Sequence, residues 1–433
     1  MQFIKLLHLP KKYHLLNMSN QRLMLTKIFA GKFYLTKINK YKHMKQILKP
    51  AAITFFILTA LIILSFTNTA VQKPPAKVLK NANPKIQVAI LLDVSGSMDG
   101  LIEQAKAQLW NMVSTMGKAK CDGGQAPKIE IALYEYGRTT NDAKAGYVKK
   151  INGFINDLDS ISQNLFSLKT NGGDEFCGQV IYNSLQELQW DGNPENYKVI
   201  FIAGNEDFLQ GNLHYTKACT EAKNKGVIVN TIYCGDKMQG IKEHWNLVGE
   251  CGNGSFTNIN QNAREEEIPT PYDSLIYSMN NKLNGTYIAY GYGGAGKKAK
   301  QEQMDVANAT MSKEAGLKRI KAKGNAAVYK NDQWDLVDAK GTAGFDLEKI
   351  DKTVLPDSLK NKTTEELKKI IDVKSKERGT VHTEIAKLNT QRDAYIAVEK
   401  AKNAANKNNA ATLETEVERI IKDQAKRYKM VIQ

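Results

Sequence analysis

The stretch Ile86-Gln87-Val88-Ala89-Ile90-Leu91-Leu92-Asp93-Val94-Ser95-Gly96-Ser97-Met98 decides how the chain is read. Its first seven residues are almost unbroken apolar, the pattern of a central parallel strand buried on both faces. The run stops at an acid, and two serines follow at alternate positions. One carboxylate and two hydroxyls are hard oxygen donors, suited to Mg²⁺, Ca²⁺ or Mn²⁺ rather than to metals that prefer sulfur. Gly96 lets the turn bend sharply enough for both hydroxyls to face one point.

Working outward, 101–116 has helical periodicity and 128–136 alternates like a strand. Further apolar runs end at Ala203 and at Cys234. Helical stretches at 176–188, 213–224 and 241–249 fall between or beside them. Strand alternating with helix predicts an α/β fold with a doubly wound, mostly parallel sheet. Ligands bind at the carboxyl ends of such strands. The polar clusters after Leu92, at 172–175 and after Ala203 are therefore expected to meet at one edge.

Asp93-x-Ser95-x-Ser97, placed after the first strand of such a domain, resembles the metal-ion-dependent adhesion site of von Willebrand factor type A (VWA) domains. The resemblance covers about residues 85–260. It implies a Rossmann-like fold, a bound divalent cation (Mg²⁺ first, Ca²⁺ or Mn²⁺ otherwise) and a shell completed by a Thr from a Gly-Gly-Thr loop and by a later Asp. The sequence departs at both places. Asn171-Gly172-Gly173 is followed by Asp174, and the strand ending at Ala203 is followed by Gly204-Asn205. The implied metal set is then Asp93, Ser95, Ser97, Asp174 and Asn205, with Asn205 holding a water; Glu206 and Asp207 follow directly and compete for that place. If Asp174 coordinates directly, more of the metal charge is neutralised, and the expectation is a weaker hold on an acidic ligand or a mainly structural metal. The stretches 203–211 and 229–235 look like an exported bacterial subgroup that carries a helical tail.

The same five residues have other readings. A haloacid-dehalogenase phosphatase needs a second Asp where Ser95 stands. Asp93 and the serines could also simply cap the helix that follows.

The net charge of +16 suggests nucleic acid until it is located. Residues 1–50 hold 11 Lys or Arg and no acid, and 51–70 hold no charge, which leaves 50 basic against 45 acidic residues in 71–433. So mild an excess makes no phosphate-binding stripe, and no nucleic-acid partner is expected. The apolar run 51–66, preceded by Lys45 and Lys49, reads as a signal peptide or signal anchor beginning at Met44. It offers membrane anchoring and places the remainder outside the cytoplasm, in the periplasm or beyond, free or held at the inner membrane. All five cysteines (Cys121, Cys177, Cys219, Cys234, Cys251) follow it, so one or two disulfides are expected, with connectivity open. No C-x-x-C or Cys/His spacing points to zinc.

The organisation expected is a basic extension at 1–43, the export segment at 44–70, a proline-containing linker at 71–84, the VWA domain at 85–262, a connecting region with a helix and short strands at 263–345, and a helical region at 346–433. In the last, Thr363 and Glu366 carry a capping-box signature. Val381, Ile385, Leu388 and Tyr395 form one apolar stripe, and Leu413, Val417, Ile420 and Tyr428 another. They read as a helical hairpin, or as a coiled coil weakened by Arg392 at a seam position. Gly291-Tyr292-Gly293-Gly294-Ala295-Gly296-Lys297 nearly reads as a phosphate loop, but Lys298 stands where Ser or Thr must hold Mg²⁺, so a glycine-rich turn is expected. No nucleophile elbow or linked His/Ser or His/Cys pair is present. The expected role is a metal-dependent protein-binding module outside the cytoplasm, not an enzyme, whose partner is a protein engaged through an acidic side chain. The alternatives are an envelope-assembly protein with a structural metal, or an accessory subunit docking on a complex such as an ATPase.

Overall fold

The computed structural model describes residues 84–121, 124–263, 267–403 and 412–432. The expected extension, export segment and most of the linker lie outside the described residues. Among those described, no helix is long and apolar enough to cross a membrane.

Six strands form the main sheet: β1 (Lys85–Asp93), β2 (Lys128–Tyr136), β3 (Lys149–Ile155), β4 (Tyr197–Gly204), β5 (Ile228–Cys234) and β6 (Phe256–Ile259). Their order is β3-β2-β1-β4-β5-β6, parallel throughout except for β3, which runs antiparallel to β2. β1 is central, in register with β2 from Lys85↔Lys128 to Asp93↔Tyr136. This explains its continuous apolar run: helices cover both of its faces, so neither set of alternate residues reaches water. Ile86, Val88 and Leu92 enter one core layer, while Ala89 and Leu91 enter the other, as the two-residue strand period requires.

Helices α1 (Asp99–Met116) and α2 (Leu158–Ser167) lie in the first layer, and α3 (Cys177–Glu187) and α4 (Tyr215–Lys225) in the second. The single helix expected at 241–249 is two, α5 (Lys237–Lys242) and α6 (Trp245–Cys251), broken where His244 takes a left-handed φ of 68°. Cys219 and Cys251 form a disulfide between α4 and α6, with Cα atoms 5.7 Å apart, within the usual disulfide range. Cys177 and Cys234 are buried thiols.

The fold class is the one expected: a doubly wound, Rossmann-like, mostly parallel sheet with a helical C-terminal region, so the likeness to VWA domains holds at the level of the fold. The C-terminal region departs from a hairpin. Helices α7 (Asp273–Asn284), α8 (Gly294–Met311), α9 (Lys313–Lys323), α10 (Thr364–Asn403) and α11 (Leu413–Ala425) follow, and α11 returns to the sheet. Its Leu413, Val417, Ile420, Ile421 and Ala425 belong to the same core layer as Val88 and Trp110. Gln424 is buried at its end, accepting from Tyr197 Oη at 2.9 Å and donating to Asn230 Oδ1 at 2.6 Å. The apolar stripe of α11 is thus the inner face of a sheet-covering helix.

On α10, Arg392 pairs with Asp273 on α7 at 3.0 Å and with Glu314 on α9. A cation at a seam position is tolerated here because two acids of neighbouring helices neutralise it. Thr363 and Glu366 exchange the reciprocal bonds of the capping box. The region 286–290 forms a single bridge, Ala289 with Asp335, rather than a strand. The expected glycine-rich turn is partly helical, because Gly294 begins α8, and Lys297 pairs with Asp157.

A buried ionic network joins these helices to the sheet layer. Arg319 pairs with Asp159 of α2 at 2.7 Å and Asp305 of α8 at 2.6 Å, and its guanidinium lies 4.6 Å from the Trp110 ring. Lys323, fully buried, pairs with Asp305 at 2.7 Å. Burial pushes its ammonium down to about 8, and Asp305 opposes that fall.

Candidate metal centre

β1 ends at Asp93, which is 0% exposed. A carboxylate reaches that depth because it stands at the carboxyl edge of the central strand, where backbone N–H groups of the next turn point back at it. Ser95 N–H donates to Asp93 Oδ1 at 2.7 Å, and Met98 N–H closes the turn on the Ser95 carbonyl at 3.1 Å. Ser95 is buried and Ser97 is exposed.

Two glycines make room for the carboxylate. A Cβ on Gly204, at the end of β4, would lie 2.9 Å from Asp93 Oδ2. A Cβ on Gly137, just after β2, would lie 3.1 Å from Asp93 Oδ1 and 2.7 Å from Glu175 Cγ, and Gly137 has a φ of 83° that side chains rarely adopt. The loop after α2 is tied to these strand ends. Asn171 N–H donates to the Val94 carbonyl at 2.9 Å, Thr139 N–H to the Gly172 carbonyl at 3.0 Å, and Thr139 Oγ1 to Asn171 Oδ1 at 2.8 Å. The three clusters therefore meet at one sheet edge.

Burial pushes the Asp93 carboxyl up to about 6, against hydrogen bonding from the Ser95 backbone and hydroxyl and from the Asn205 backbone, and Glu206 adds to the rise. None of these donors satisfies Oδ2, which is buried without a hydrogen-bond partner. Asn205 Oδ1 is likewise buried and unpartnered. Unpaired buried oxygens are costly, and two of them at one sheet edge are what a cation would relieve. Asp93, Asn205 and Ser95 thus fit a hard ion, with Ser97 at the mouth. Among the described residues, no three carboxylate, imidazole or thiolate groups converge in a metal-binding arrangement, so hydroxyls and the amide must complete the set.

Asp174 is placed differently from the acid that reading assumed: its side chain is exposed. The neighbouring Glu175 is 8% exposed and stands against Gly137 and Asp93. Burial, then the charges of Asp93 and Glu206, push its carboxyl up to about 7. Burial, with Glu243 beyond it, also raises Glu206. Beneath the site, Tyr136 Oη donates to the Ala203 carbonyl at 3.1 Å and receives the Cys177 thiol at 3.7 Å. Both groups titrate well above their ordinary ranges, through burial first, then through Cys177 and Asp93 for Tyr136 and through Asp93 for Cys177, so they are neutral props. Sequence reading passed over Glu175 because Asp174 occupied the aligned position. No signal in the sequence separates these two adjacent acids; packing against Gly137 does.

No protein-family model matches the chain, and no curated protein matches it. Solved structures similar to part of it include a von Willebrand factor type A protein from Catenulispora acidiphila (12% identity, TM-score 0.31, 41% of this chain and 39% of that one). Another is an aerotolerance-related membrane protein from Bacteroides fragilis (16% identity, TM-score 0.28, 41% of this chain and 93% of that one). A third is proximal thread matrix protein 1 from the mussel byssus with a zinc-occupied MIDAS motif (15% identity, TM-score 0.31, 41% of this chain and 42% of that one). The chain thus spans well under two thirds of the first of these structures.

Proposed function

We propose that residues 85–262 form a metal-dependent protein-binding module that works outside the cytoplasm, with Mg²⁺ as its first-choice ion. The observation that carries this reading is the pair of buried, unpartnered oxygens, Asp93 Oδ2 and Asn205 Oδ1, at the carboxyl edge of the sheet. Ser95 and Ser97 stand in the adjoining turn as neutral oxygen donors. A divalent ion held by these residues would supply a positive centre for an oxygen of a partner protein. The chain's own groups position it: Gly137 and Gly204 leave space, and Tyr136 and Cys177 fill the floor without charge. Recognition rather than catalysis is the reading adopted, with the Ser95 hydroxyl that bonds Asp93 taken as a donor to the ion.

The test is capture of a partner by the immobilised full-length chain from an envelope extract, in Mg²⁺ and again in EDTA, beside Asp93→Ala. A partner held only in Mg²⁺ and only by the wild type supports the proposal. Equal capture by all three, with EDTA lowering only the melting temperature, supports the structural-metal alternative instead.

A further inference from the structure

We infer that Glu175, and not Asp174, is the second carboxylate that holds the ion. This rests on the metal-binding reading above and adds to it a residue that the motif does not nominate.

The case is geometric. Glu175 is 8% exposed and Asp93 0%, whereas the side chain of Asp174 is in solvent. Gly137 is the shared wall: a Cβ there would sit 2.7 Å from Glu175 Cγ and 3.1 Å from Asp93 Oδ1, so both acids border the same small space. Only a residue without a side chain lets them approach from the two sides. No cation of the protein pairs with Asp93 or Glu175 among the described residues; Arg138, which follows Gly137, and Lys149 are directed to Glu135 instead, at 3.7 and 3.8 Å. Two buried acids side by side without a counter-ion are unfavourable unless protons or a metal neutralise them. The second observation is independent of the acids. Asn205 Oδ1, from the turn after another strand whose backbone reaches Asp93, is also buried and unpartnered, as is Oδ2 of the fully buried Asp93; unpaired buried oxygens gathered at one sheet edge call for a cation. Asp93, Glu175 and the Asn205 oxygen, with the Ser95 hydroxyl, make a hard-donor set with two negative charges. Such a set balances the charge of a divalent ion, so a neutral oxygen of the partner, rather than an acidic side chain, would complete the shell.

The experiment is calorimetric titration of the full-length chain with Mn²⁺ and Mg²⁺, comparing Glu175→Gln, Asp174→Asn and Asp93→Ala. Melting curves in EDTA establish that each variant is folded, and Glu175→Asp serves as a second probe that keeps the charge and withdraws it by one methylene. The expected result is a loss of at least about tenfold in affinity for Glu175→Gln, a smaller loss for Glu175→Asp, and a change of less than about threefold for Asp174→Asn. Loss in Asp174→Asn equal to or greater than that in Glu175→Gln overturns the inference. So does a Glu175→Gln variant that binds like wild type while Asp93→Ala does not bind, a result that leaves the metal site itself intact. Absence of binding to folded wild type overturns both the inference and the reading beneath it.

Discussion

Replacing Asp93 by Asn should make the metal-free protein more stable while destroying its response to metal. The Asp93 carboxyl lies at about 6 instead of 3.8, chiefly because it is buried. At about 1.4 kcal/mol per pH unit of displacement, keeping it ionised costs on the order of 3 kcal/mol at pH 8. Asn is nearly isosteric, keeps an oxygen for the Ser95 N–H and carries no charge. With roughly 2 cal/mol/K of unfolding entropy per residue over residues 79–433, each kcal/mol moves Tm by roughly 1.4 °C, so the variant should melt about 4 °C higher in EDTA. The sign with pH follows from a raised acid. Its favourable contribution is fully present below 3.8 and is lost as pH climbs through 6, so the gap should be full at pH 8 and close near pH 4. Mg²⁺ at about 100 times its dissociation constant should lift wild type by about 2.7 kcal/mol, again about 4 °C, and leave the variant unmoved. Scanning calorimetry at pH 8 and pH 4, with EDTA and with Mg²⁺, gives all four numbers. A gap of equal size at both pH values, or an Asn variant that still responds to Mg²⁺, refutes the reasoning.

Other perturbations read different parts of the structure. Reducing Cys219–Cys251, which closes a loop with a separation of 32 residues, should cost about 3.7 kcal/mol by loop entropy, seen as a lower urea midpoint for Cys219→Ser with Cys251→Ser. Asp305→Asn leaves Arg319 and Lys323 without their shared acid and should cost about 3–5 kcal/mol in urea unfolding; a loss below about 1 kcal/mol would mean the network is solvated. Gly137→Ala places a methyl against Glu175 and Asp93 at a φ of 83°, so metal binding should be lost while the chain still folds, checked by titration beside circular dichroism.

The sheet was legible because β1, β4 and β5 announce themselves as apolar runs that only a doubly covered sheet requires. Asp93 and the serines were legible for the same reason, since the position of a strand end is set by where such a run stops. What burial adds was not legible. Asp174 and Glu175 are adjacent acids in the sequence, and only packing against Gly137 tells which one turns inward. The C-terminal helices were found by their stripes but misassigned to each other, because Leu413, Val417 and Ile420 are equally suited to a partner helix or a sheet face. Gln424 carried a hint: a polar residue on the apolar side wants specific partners, and Tyr197 and Asn230 supply them. The split of 241–249 into two helices turns on the left-handed His244, a conformation that sequence pattern does not signal.

The central claim is that a divalent ion is held at the end of β1, and anomalous diffraction from crystals grown with Mn²⁺ tests it most directly. The account predicts one strong peak at about 2.1–2.3 Å from a carboxylate oxygen of Asp93, bordered by Ser95, Asn205 and Glu175. A map with no peak there, or with manganese only on surface acids such as Asp174, contradicts it.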